Sequence, residues 1–175
     1  MAEGVNVAPL LWALQEHPDL WNRNPARTEN PDSPHFGLSD IWCRFAAPNV
    51  DGSQAHESVW YPEADVLPVK DLALALMSMV QGEQLGGVLI TKIPAGAMCR
   101  PHKDPGWHAR FYDKFAVQVQ AAPGQEFHFE DQSLVTKPGD LFWFDNSHTH
   151  WVTNDSAVDR ITLICCIRLD PRRRK

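Results

Sequence analysis

No apolar run in this sequence approaches the roughly 18 residues that a membrane-spanning helix requires; the longest uncharged apolar stretches, such as 161–167, are far shorter. The start, Met1-Ala2-Glu3-Gly4, lacks a basic region followed by an apolar one, so no export signal is expected and the chain reads as soluble and cytoplasmic. Paired-cysteine motifs are missing too. The four cysteines, Cys43, Cys99, Cys165 and Cys166, form no C-x-x-C, and the last two are adjacent in an apolar stretch. They read as reduced core thiols rather than a disulfide framework. Positive charge is in deficit: 16 Lys and Arg against 22 Asp and Glu leave −6 at pH 7, which argues against a nucleic-acid partner. The one basic run, Arg172-Arg173-Arg174-Lys175, closes the chain and reads as a solvated tail. There is no internal repeat and no low-complexity segment.

What is present has the make-up of one globular domain: 175 residues, 43% hydrophobic and 22% charged. Its character changes along the chain, with helical and loop support expected over 1–84, a β-rich core over 85–169 and the basic tail over 170–175. Leu10, Leu11 and Leu14 at helical spacing predict a helix over Ala8–Glu16. Proline-interrupted segments 22–39 and 48–68 predict loops flanking a strand over Ser39–Ala46. Residues 71–81 predict a helix apolar on most faces, stopped at Gly82, that should back onto a sheet. Eight short strands are expected after it, over 87–93, 100–104, 114–121, 126–130, 133–137, 141–144, 148–153 and 159–169. Turn signals separate several of them: Pro94-Ala95-Gly96, Pro105-Gly106, Pro123-Gly124 and Pro138-Gly139. The expected fold is therefore mainly β with an α-helical N-terminal part, a double-stranded β-helix (jelly roll, cupin-like) whose mouth is a pocket lined from several strands.

One constellation falls on that core. His102-Lys103-Asp104 places a His and an Asp two apart, on one face of an extended segment, so both can grip one metal ion. A second His from a distant strand would complete a 2-His-1-carboxylate triad, leaving three positions on iron open for a chelating cosubstrate and oxygen. His148 and His150 share a strand face, so their parity does not choose between them. Arg160, a permanently charged fork, suits a carboxylate.

With these residues in view, the stretch 85–167 resembles the aspartyl/asparaginyl β-hydroxylase family of Fe(II)- and 2-oxoglutarate-dependent dioxygenases. The family's Ala-Gly turn and Pro-His pair are matched by Pro94-Ala95-Gly96 and Pro101-His102. Its Gly-x-x-x-x-Phe-Asp segment is matched by Gly139 through Phe144-Asp145. The family's cosubstrate Arg lies ten residues beyond the distal His, and Arg160 stands in that relation to His150, which the resemblance therefore selects over His148. It also implies cosubstrate contacts from Thr91 and, in place of the family's Arg-x-His, from Lys114 in Lys114-Phe115-Ala116. The well-known animal members carry Gly where this chain has Asp104, so a complete triad of His102, Asp104 and His150 is expected here. The N-terminal third, with Trp21, Pro34-His35 and Asp40-Ile41-Trp42-Cys43-Arg44, resembles small bacterial and phage members.

The resemblance implies Fe(II), 2-oxoglutarate and O2 as cofactor and cosubstrates, with ascorbate as a supporting reductant and succinate and CO2 as co-products. It implies an Asp/Asn-type peptidyl or free amino acid as substrate, and no membrane partner. The competing expectation is a cupin-like metal- or sugar-binding module without redox activity, which has no need of an Arg ten residues beyond its last ligand. Loop residues His35, His56 and His108 are candidate substrate contacts, His128 is expected to pack or face solvent, and Trp107, Trp143 and Trp151 are expected in the core or at the rim.

Overall fold

A computed structural model describes residues 2–170 and 172. Most of the basic tail, Arg173, Arg174 and Lys175, lies outside the described residues. The chain runs α1 (Ala8–Glu16), β1 (Ser39–Ala46), β2 (Ser58–Trp60), α2 (Glu63–Val66), α3 (Val69–Val80), β3 (Gln84–Ile93), β4 (Met98–His102), α4 (Gly106–Phe111) and β5 (Asp113–Gln120). It continues through β6 (Gln125–Phe129), β7 (Ser133–Val135), β8 (Leu141–Phe144), β9 (His150–Asn154) and β10 (Arg160–Arg168). Six strands form one antiparallel sheet in the order β2-β1-β3-β10-β5-β8, and four form a second in the order β4-β9-β6-β7. The eight strands β3 to β10 are the expected jelly roll, four to each sheet; β1 and β2 extend the larger one.

Alternation along β10 shows how the two faces of the larger sheet divide the work. Ile161, Leu163 and Cys165 point outward into the main core, where they meet Leu10 and Leu14 of α1 and Val69, Ala73 and Leu76 of α3. Arg160, Thr162 and Ile164 point the other way, into the space between the sheets. Burying a Leu, Ile or Val side chain stabilises by about 1.5–3 kcal/mol, so the outer face anchors the fold. The inner face is left free to carry polar groups.

Several boundaries depart from the sequence expectation for local reasons. The 48–68 segment is not loop throughout: β2 pairs with β1, Arg44 opposite Trp60, and α2 follows. Elements of three and four residues are too short to show a period. Helix α4 stands where only the Pro105-Gly106 turn was expected; Gly106 opens it at φ +87, a conformation that favours glycine. At the end of α3 the left-handed residue is Gln81, not Gly82. Gly82 is required for space instead, since a Cβ there would stand 2.4 Å from the Ile167 side chain.

Candidate metal centre and inter-sheet cavity

His102 ends β4 and His150 begins β9, and the two are direct partners across the antiparallel ladder. Their rings approach to 4.4 Å between centroids. Each ring is fixed by the backbone in the same way: His102 Nδ1 lies 2.7 Å from the Arg100 carbonyl, and His150 Nδ1 lies 2.9 Å from the His148 carbonyl. A carbonyl only accepts, so Nδ1 carries the hydrogen in both rings and Nε2 presents a bare lone pair. Those lone pairs converge on Asp104, with His102 Nε2 3.6 Å from Oδ1 and His150 Nε2 3.9 Å from Oδ2. All three donor atoms lie within 4.8 Å of one another, close enough for one ion with bonds of about 2.0–2.2 Å after small adjustments.

The protonation states suit a cation. Burial lowers the pKa of both histidines, outweighing the carbonyl hydrogen bonds that would raise it, so both imidazoles are neutral near pH 7. For Asp104, burial works toward a higher pKa, but the neighbouring Lys114 ammonium, by its charge and its hydrogen bond, holds it below the ordinary value. A metal site needs neutral imidazoles and an ionised carboxylate, and both are present. The Asp104 backbone is pinned as well, donating at 3.0 Å to the Asn146 carbonyl in the turn before β9. Aromatic packing supports His150: Phe127 is stacked at 5.7 Å and Phe144 lies at 5.3 Å.

Beside the ligands, between the sheets, lies a narrow cavity of about 70 Å³, room for roughly five or six water-sized groups. His102, His150, Thr91, Lys114 and Arg160 all line it. Arg160 is 2% exposed, and burial lowers its pKa to about 10, still far above neutrality. Its hydrogen-bond partner is the Thr136 hydroxyl at 3.3 Å, which in turn donates to Gln118 Oε1 at 3.0 Å. No acidic side chain pairs with Arg160 among the described residues. Asp104 itself lines a wider groove of about 650 Å³, together with Arg110, Tyr112, Trp143 and Asn146 among others.

The sequence-derived residues fall as follows. His102, Asp104 and His150 come together; Thr91 and Arg160 face the same cavity; Lys114 does too, and forms an ion pair with Asp104. His148 does not share a strand face with His150. Asp145 accepts from the Ser147 amide at 2.9 Å, closing a turn over 145–147, so β9 starts only at His150 and His148 projects into solvent with its side chain 73% exposed. His150 and Arg160 do not stand on neighbouring strands: β9 belongs to the four-stranded sheet and β10 to the six-stranded one, so the two residues reach the cavity from opposite walls. His56 and His108 pack with Phe45 and Trp107, away from the ligands. His128 stacks on Trp151, Trp143 is exposed, and Trp107 is half-buried and donates to the Gly52 carbonyl.

Three cavity-associated residues gave no sequence signal that was taken up. Arg27 looked like one more polar residue in a proline-rich loop. Thr136 closes a short edge segment. Gln118 was legible in principle, because a fully buried amide in the middle of an apolar strand must be serving a polar neighbour.

Among known proteins, the family model described as aspartyl/asparaginyl β-hydroxylase matches residues 65–169. Comparison with curated proteins gives no match. A solved oxidoreductase of the 2OG-Fe(II) oxygenase family from Burkholderia pseudomallei superposes with a TM-score of 0.56 at 15% identity, over 75% of this chain and 67% of that one. A predicted oxalate decarboxylase from Thermotoga maritima gives 0.36 at 18% identity, over 54% and 73%. A cupin domain from Bordetella pertussis gives 0.38 at 16% identity, over 50% and 85%. At these identities the structural likeness concerns the fold.

Proposed function

The chain belongs to the aspartyl/asparaginyl β-hydroxylase family, an oxidoreductase family of hydroxylase type, and on that premise we propose that it is an Fe(II)- and 2-oxoglutarate-dependent dioxygenase. It hydroxylates a peptidyl or free amino acid of the Asp/Asn type and releases succinate and CO2. The observation that carries the reading is Arg160: a guanidinium only 2% exposed and without an acidic partner among the described residues, facing a cavity whose other wall bears the two histidines. Burying an unpaired charge costs several kcal/mol, and an anionic occupant of the cavity removes that cost. A linear diacid suits the narrow space, with one carboxylate at Arg160 and the other end at the ligands.

When bound, Fe(II) with 2-oxoglutarate supplies the O2 activation that drives oxidative decarboxylation and hydroxylation. His102, His150 and Asp104 would hold the ion, the Nδ1–H···O=C bonds keeping the Nε2 atoms of both rings turned toward Asp104. Arg160, braced by Thr136 and Gln118, would receive the distal carboxylate, for which a guanidinium fork is suited. Thr91 offers a hydroxyl to the same cosubstrate. Phe127, Phe142 and Phe144 line the cavity with apolar surface that keeps water from the reacting centre. The wider groove that Asp104 lines would receive the substrate, separate from the cavity that Arg160 lines.

Addition of 2-oxoglutarate to anaerobic Fe(II)-loaded protein tests the reading. A weak visible absorption band should appear and saturate at one equivalent; a sugar-binding cupin would give none.

A further inference from the structure

Arg27, in the loop before β1 and outside the family match at 65–169, is held more tightly than a surface loop residue needs to be. Asp40 on β1 is fully buried and forms a bidentate ion pair with it, through Nε to Oδ2 and through Nη2 to Oδ1 at 2.9 Å. Trp42, two residues on and so on the same strand face, lies under the guanidinium with 5.5 Å to the ring centroid. Asp40 is the direct cross-strand partner of Thr91, and Thr91 in turn is opposite Thr162 on β10. Arg27 spans the first of these pairs. Its Nη2 donates to Thr91 Oγ1 at 2.9 Å, and its Nη1 lies 3.2 Å from His35 Nε2.

The direction of these bonds has a chemical consequence. A threonine hydroxyl has one hydrogen and two lone pairs, and Arg27 can only donate. With a lone pair of Thr91 occupied, the hydroxyl hydrogen turns away from Arg27 and is available to whatever fills the cavity that Thr91 lines. The same constraint makes His35 Nε2 an acceptor, so His35 carries its hydrogen on Nδ1; this ring also lines the cavity, edge-on to His102 at 5.1 Å. Asp40 cancels the charge of Arg27, so Arg27 does not compete with Arg160 for a carboxylate.

We propose that the Asp40–Arg27 pair is a positioning element for the 2-oxo acid, presenting Thr91 and His35 as fixed hydrogen-bond donors to its oxygens. The inference rests on the functional reading above and extends the site into the N-terminal segment. Lysine cannot hold Asp40, Thr91 and His35 at once, because its single ammonium lacks the planar fork.

The test is 2-oxoglutarate binding to anaerobic Fe(II)-loaded protein, read from the visible band and from calorimetry on the Mn(II)-loaded form. Arg27→Lys should keep full metal stoichiometry and lose about tenfold in 2-oxoglutarate affinity, the scale of one charge-assisted hydrogen bond. Thr91→Val should lose no more than Arg27→Lys does, Thr91→Ser should restore the affinity, and the Arg27→Lys/Thr91→Val double variant should be no weaker than Arg27→Lys alone, because the contribution of Thr91 is already lost there. Normal affinity in Arg27→Lys, or losses that simply add in the double variant, would overturn the proposal while leaving the functional reading intact. If wild-type protein loads Fe(II) yet binds no 2-oxoglutarate, the functional reading fails and this proposal with it. Should Arg27→Lys not fold, amide hydrogen exchange of the wild type decides: protection of residues 22–38 on adding 2-oxoglutarate supports the proposal, and no change overturns it.

Discussion

Two guanidinium groups face one cavity, and the chain treats them oppositely. Arg27 arrives from an N-terminal loop already neutralised by a buried carboxylate, braced by Trp42 and spent on Thr91 and His35. Arg160 arrives from the centre of the jelly roll, is more deeply buried, and among the described residues hydrogen-bonds to a threonine hydroxyl and to no carboxylate. A buried charge with its counter-charge is part of the architecture, whereas one without a counter-charge is an unmet demand that a ligand can satisfy. The N-terminal arginine shapes the cavity; the jelly-roll arginine defines what enters it.

The comparison presumes an ion at the ligands, so the largest effect is expected there. His150→Ala should abolish Fe(II) binding, and His102→Ala and Asp104→Ala should each lose most of it, because three ligands reduced to two no longer form a tight site. Both arginine variants should keep one Fe(II) per chain. Equilibrium titration with Fe(II) under anaerobic conditions measures all five, and full occupancy in Asp104→Ala would remove the carboxylate from the ligand set.

Next in size is Arg160→Met. Cosubstrate affinity should fall about a hundredfold or more, the scale of a lost buried charge-assisted pair at about 2–5 kcal/mol. Stability in the absence of ligand should be unchanged or higher, by up to about 1–4 kcal/mol, since an uncompensated charge is replaced by an apolar side chain of similar length. A clear loss of stability would mean that Arg160 is structural after all, and the contrast with Arg27 would collapse.

Asp40→Asn should behave in the reverse manner, leaving Arg27 without its counter-charge. A loss of about 3 kcal/mol is expected, at the low end for a broken buried pair because Arg27 retains some exposure. That corresponds to a drop in Tm of roughly 6–12 °C at about 2–4 °C per kcal/mol for a chain of this size. Thermal melts of Asp40→Asn and Arg160→Met measured together give the sign of each effect directly.

The smallest effect is expected at His148, which resembles His150 in sequence and shares nothing of its surroundings. His148→Ala should leave Fe(II) binding intact and stability within about 0.5 kcal/mol, as for other exposed positions. Loss of iron in this variant would reassign the distal ligand.

How legible each part was depended on how local its cause is. The alternation of β10, the Leu spacing of α1 and the glycine-marked turns are consequences of residues within one element, and they appear in the structure close to their expected bounds. The His-x-Asp pair was readable from its spacing alone, although β4 ends at His102 and Asp104 lies in the segment after it rather than on the expected strand 100–104. His148 against His150 was not a question of alternation at all: a side-chain cap at Asp145 shortens the strand and decides it. β2 and α2 were invisible because their stability comes from β1 and the core, not from any period of their own.

By itself, then, the sequence determined the fold class, the pairing of His102 with Asp104, and the presence of an arginine at a fixed interval from a second histidine. The fold class depends on the two-residue period of strands, and the other two on spacing within one polypeptide segment. Only the tertiary structure decided that His150 and Arg160 stand on opposite sheets, that Arg160 has no counter-charge among the described residues, and that Arg27 meets Asp40 and Thr91 from a segment 64 residues earlier than Thr91. Charge compensation is a property of neighbours in space, and no spacing along the chain encodes it.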